Sequence, residues 1–105
     1  MATVTQKAMA RTAAATSSAT LYTVPTTSTT AVVTNIVVTN TASSAGTFTI
    51  NIDGVAIASG TTIAANDTTV IDLRQVIPAN ATPKTITGLA SATTINFHIS
   101  GVEIV

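Results

Sequence analysis

Cysteine and tryptophan are absent from this chain, and its 105 residues include one histidine, one tyrosine, two phenylalanines, four basic and four acidic side chains. Without cysteine there is no disulfide, no thiolate nucleophile and no Cys-ligated metal. The basic residues Lys7, Arg11, Arg74 and Lys84 form no stripe with interleaved aromatics, and the formal net charge is zero. A nucleic-acid partner is therefore not expected, because following a phosphate backbone needs clustered cations and stacking surfaces. The longest apolar runs, such as Ile36–Val38, are far short of the roughly 20 residues that span a bilayer, so no membrane partner is expected. No apolar stretch of the secretory kind follows Lys7 and Arg11, which reads as a chain made in the cytoplasm without export.

What fills the chain instead is threonine, 24 residues of it, with valine, isoleucine and alanine. β-Branched side chains lose rotamer freedom in a helix and fit a pleated surface. A chain of this length builds one core, and a surface with so few charges has little repulsion to keep copies apart, which favours association.

Strand signals recur from Thr20 onward. Leu21–Val24 ends at Pro25; Ala31–Asn40 follows, rich in Val, Ile and Thr, and stops at Thr41 to Gly46. Phe48, Ile50 and Ile52 alternate with polar residues up to Asp53-Gly54, a pair that supplies the positive φ angles of a type I′ turn. The predicted hairpin register sets Ile52 opposite Val55 and Ile50 opposite Ile57. Asn66-Asp67 marks the next turn, and in Thr68 to Gln75 the residues Ile71 and Leu73 face away from Asp72 and Arg74. Pro78 and Pro83 bracket a loop at Asn80–Thr82 before a short strand, Lys84 to Thr87, closed by Gly88. In the last segment, Thr94 to Val105, the residues Ile95, Phe97 and Ile99 share one face, whereas Val102 and Ile104 fall out of phase. A β-bulge at Ser100-Gly101 would restore a common face. The predicted fold is all-β, a single antiparallel β-sandwich of about eight short strands over residues 19–105, with a jelly roll among the topologies it allows.

Residues 1–18, mainly Ala, Thr and Ser, carry no sustained apolar period and read as an extended N-terminal arm. Its long side chains Lys7, Met9 and Arg11 are spaced by two, which puts all three on one side of an extended segment. They are the candidate interface residues, with the two cations meeting acidic groups of a neighbouring subunit by strand pairing.

Catalytic and metal chemistry find little support. His98 is the only histidine, and its strand neighbours Asn96 and Ser100 do not make a nucleophile–base–acid set; no nucleophile-elbow motif is present. Asp53, Asp67 and Asp72 lack the spacing of a calcium loop, and the first two sit in turns. Two sequons, Asn66-Asp67-Thr68 and Asn80-Ala81-Thr82, read as turns in a chain without an export signal. No enzyme activity, cofactor, metal or small-molecule substrate is expected.

Three phrases carry a resemblance: Ala19-Thr20-Leu21-Tyr22-Thr23-Val24-Pro25, Val33-Thr34-Asn35-Ile36-Val37-Val38, and Asn96-Phe97-His98-Ile99-Ser100-Gly101-Val102-Glu103-Ile104. Together they resemble small β-sandwich virion proteins of tailed bacteriophages, over residues 19–105. The resemblance implies a capsid cement or decoration protein, commonly a homotrimer, that binds the major capsid protein on the outer capsid surface and bridges its subunits. A receptor-binding or adhesive module of a phage tail or fibre is the alternative it leaves open.

Overall fold

A computed structural model describes residues 3–105. Eight strands and no helix make up this part of the chain: β1 (Val4–Ala13), β2 (Ala19–Thr23), β3 (Thr30–Asn40), β4 (Gly46–Ile52), β5 (Val55–Ile63), β6 (Thr68–Ile77), β7 (Thr85–Ala90) and β8 (Ile95–Ile104). They form two four-stranded antiparallel sheets, ordered β1-β8-β3-β6 and β2-β7-β4-β5. The first four strands pair with the last four in reverse order, β1 with β8, β2 with β7, β3 with β6 and β4 with β5. The chain is thus one long hairpin, its tip at Asp53-Gly54, rolled into a sandwich, which is the jelly-roll arrangement.

The core lies between the sheets and is made of alternate residues of the strands. Val33, Ile36 and Val38 of β3, Phe48 and Ile50 of β4, Ile86 of β7 and Ile95, Phe97 and Ile99 of β8 are all buried. Phe48 and Phe97 meet edge to face from opposite sheets, with ring centroids 6.3 Å apart, the geometry that aromatic quadrupoles favour. Asn40, the main polar group inside, donates from Nδ2 to the carbonyls of Ser44 (2.9 Å) and Ala64 (3.2 Å) and accepts from the Ala42 amide at 3.0 Å. It ties the β3–β4 loop to the β5–β6 turn and leaves no polar atom of its own unpaired.

Three expectations need correction. The first is the boundary between an arm at 1–18 and a sandwich beginning at 19. Residues 4–13 are β1, hydrogen-bonded along β8 as an edge of the sandwich itself. The turn after it is tied to both sheets at its start, since the Ala14 amide donates to Ile95 (2.8 Å) and the Ala90 amide to Ala15 (2.9 Å). Residues 1 and 2 of the expected arm lie outside the described residues.

The second concerns the hairpin. Asp53 and Gly54 take the positive φ angles of 54° and 75° that the turn needs, and Ile52 does pair with Val55. Ile50, however, pairs with Ala58, because a bulge leaves Ile57 as an extra residue in β5. β7 also runs through Gly88 to Ala90. Gly88 is a core position where a Cβ would sit 2.8 Å from Leu21 Cδ1, so that Leu21 would have to shift to admit a side chain.

The third is the bulge in β8. Its alternation runs without a break through Gly101, which is buried. The irregularities lie instead in the two strands that flank it, at Met9 in β1 and Thr34 in β3. A Cβ on Gly101 would sit 2.1 Å from the Val32 carbonyl oxygen and 2.7 Å from Met9 Cε. The backbone of β3 and the side chain of Met9 therefore occupy the space that the glycine vacates.

Candidate functional site

The unbroken phase of β8 decides what the outer face of the β1-β8-β3-β6 sheet carries. Beyond Gly101 the apolar Val102 and Ile104 point outward, and Glu103 points in. Tyr22 of β2, in the opposite sheet, donates its hydroxyl to Glu103 Oε2 at 2.5 Å. Burial, then the bond to Glu103 and its charge, hold the Tyr22 phenol far above the ordinary range, so it remains a donor wherever the fold persists.

Cross-strand rows of that face follow from the register. At one end Val4, Ile104 and Thr30 form a row, and Gln6, Val102, Val32 and Val76 the next. Then come Ala8, Ser100, Asn35 and Asp72, followed by Arg11, His98, Val37 and Val70. The first two rows make an apolar stripe across all four strands, with Val4 63 % and Val76 58 % exposed at its two ends. Beside it lies a depression of about 510 Å³, lined among others by Gln6, Lys7, Ala8, Arg11, Thr34 and Ser100. The double bulge around Gly101 shapes it, and the Thr34 hydroxyl donates to the Ser100 carbonyl at 3.1 Å along its floor.

Of the three candidate interface residues, the structure brings Lys7 and Arg11 to this depression and takes Met9 away from it. Met9 lies in the core, 7 % exposed, and the bulge between Ala8 and Ala10 puts Arg11 on the opposite side of the strand from it. A strict spacing of two would have kept the three together; one extra residue in the strand does not. Lys7 and Arg11 make no ion pair among the described residues, where the one salt bridge is Lys84 to Asp53 at 3.4 Å, beside the hairpin tip. Asp72 is exposed on the opposite edge of the same sheet.

His98 lies between Arg11 and Val37 across the strands, with no acid in its row. Among the described residues no three of His, Asp and Glu gather as a metal set would require. What the surface offers is a two-cation depression that suits an acidic side chain, next to an apolar stripe that suits another apolar face. The members that sequence reasoning passed over are Val32, Val76 and Asp72. The signal that pointed to them was the phase change after Gly101.

No protein-family model matches this chain, and no curated protein matches it in sequence. Its fold is similar to that of a chain in the infectious bursal disease virus Gx strain, with 15% identity, 99% of this chain and 31% of that one covered, and a TM-score of 0.54. It is also similar to a chain of the T13 particle of that virus (12% identity, 98% and 30% covered, TM-score 0.58). A chain of the virus-derived T=1 particles gives 15% identity, 98% and 31% covered, and a TM-score of 0.52. At these identities the likeness is one of fold, and the chain spans under a third of the length of those it matches.

Proposed function

We propose that this chain is a non-enzymatic structural protein of a virus particle. Its proposed place is the outer surface of the capsid, as a cement or decoration protein that bridges neighbouring major capsid subunits after manufacture in the host cytoplasm. The observation that supports this reading most is the eight-stranded jelly roll, similar over nearly its whole length to chains from viral particles. The surface adds to it: few charges, an apolar stripe on an outer face, and edge strands β1 and β6 left open to further pairing.

The mechanism is added contact. A domain touching two capsid subunits makes shell opening break its own contacts too, and once one contact has formed, effective concentration favours the second. Electron microscopy of the native particle, with and without this chain, tests the proposal. Density over an icosahedral shell, and earlier rupture on heating when the chain is missing, is the expected result. Density confined to a tail or fibre would overturn it and favour the adhesive alternative.

A further inference from the structure

The outer face of β1-β8-β3-β6 breaks the rule for a solvated sheet face, on which alternation leaves polar residues outside. Val102 and Ile104 are outside and a carboxylate is inside. Val4, Val32 and Val76 extend the apolar row on the neighbouring strands. Such a face is built to be covered.

From the charges that flank the stripe, we infer that its occupant is a second copy of this chain. Lys7 and Arg11 lie on the β1 edge of the sheet and Asp72 on the β6 edge. A two-fold axis running along the strands, between two sheets packed face to face, lays β1 of one copy over β6 of the other. Rows at the same level then meet, so the two stripes cover each other. Asp72, which is level with Ala8 in the sheet register, enters the partner's depression over that small residue, beside Arg11, the next outward residue of β1. Symmetry makes every contact twice. The other in-plane axis, across the strands, would also superpose the stripes but would carry Arg11 and Asp72 of each copy past the far end of the partner's sheet, so that neither charge meets its opposite. An aligned packing of this kind is the ordinary way two sheets meet. It requires nothing of a capsid, so it stands or falls independently of the proposed function.

The test is mass measurement by light scattering, on the full chain over a wide range of concentration, with circular dichroism to confirm folding. The wild type is expected at twice the chain mass. Val4→Lys with Val76→Lys, both at exposed positions, should keep the spectrum and give monomer. Arg11→Asp and Asp72→Arg should each weaken the dimer roughly 2- to 30-fold, the scale of one exposed charge pair made twice. Mixed together, these two variants should recover tight association, because in the heterodimer each altered charge again meets its opposite. A monomer up to millimolar concentration, a trimer, or a dimer that ignores the valine and charge variants would overturn the inference.

Discussion

Replacing Gly101 by alanine probes the feature on which the outer face depends. The added methyl would sit 2.1 Å from the Val32 carbonyl oxygen, 2.7 Å from Met9 Cε and 3.0 Å from the Val32 carbonyl carbon. A close carbon–oxygen contact needs roughly 3.3 Å, so β3 or β8 must move by about 1 Å in the middle of a sheet. Backbone flexibility offers no relief, because the nearest atom belongs to a paired strand. Overpacking of this kind costs about 3 kcal/mol, from which the stiffer unfolded chain returns roughly 0.5 kcal/mol. For a domain of this size the loss corresponds to a fall in Tm of roughly 10–20 °C. Gly88→Ala is the matched control, because its nearest obstacle is the end of the Leu21 side chain at 2.8 Å, with Phe97 and the Thr49 carbonyl both at 3.3 Å. A side chain can rotate away, so this change should cost about 1 kcal/mol. Adding Met9→Ala to Gly101→Ala should recover only about 1 kcal/mol through the shared space, since the clash with β3 remains. Urea unfolding followed by circular dichroism measures all of these. If Gly101→Ala proves no worse than Gly88→Ala, the close approach of β3 to β8 is wrong.

Alkaline titration reports on the inter-sheet bond, since Tyr22 is the sole tyrosine. Its raised pKa means that the folded form keeps the proton, so stability is full below the ordinary value of 10.0 and falls above it, where only the unfolded chain ionises. Tyrosinate absorbance should therefore appear together with unfolding, and a separate earlier ionisation would contradict the buried bond. Glu103→Ala removes the acceptor of the Tyr22 hydroxyl and should cost about 1–3 kcal/mol by chemical denaturation. Asn40→Ala strips the partners from two loops and should cost about 2–4 kcal/mol in the same assay. Proteolysis within 41–45 should also become faster. Asp53→Ala places alanine at a positive φ of 54° and should lower stability by about 1 kcal/mol, whereas Asp53→Asn should be close to neutral.

Local chemistry was legible in the sequence, and pairing between distant strands was not. The turn at Asp53-Gly54, the split of Ile71 and Leu73 from Asp72 and Arg74, and the core face of Ile95, Phe97 and Ile99 each depend on residues a few positions apart. Two-residue periodicity and positive-φ preferences suffice for these. β1 escaped because five of its first six residues are exposed and show no apolar alternation to announce a strand. It is an edge strand, mostly exposed, held by main-chain bonds to β8 and by Met9 alone in the core. Main-chain pairing leaves no mark on side-chain pattern. The shift of Ile50 from Ile57 to Ala58 has the same origin, since a bulge inserts a residue that alternation cannot anticipate.

The phase change after Gly101 admitted two solutions. A bulge in β8 would have turned Val102 and Ile104 inward and left a plain polar exterior. An unbroken β8 sends them outward and requires its neighbours to adjust. Which one forms depends on Met9 and Val32, which fill the space at Gly101 from strands far away in sequence. The unbroken strand leaves apolar residues outside and brings a carboxylate in, and Tyr22 compensates only the second of these. The first has no compensation within the described residues. On a surface with so few charges, the separation of Arg11 from Asp72 across that face is also the main source of direction available to an approaching partner. An exposed stripe supplies the attraction and the charges fix the orientation, so the same strand phase that departs from the predicted pattern accounts for both halves of the proposed contact.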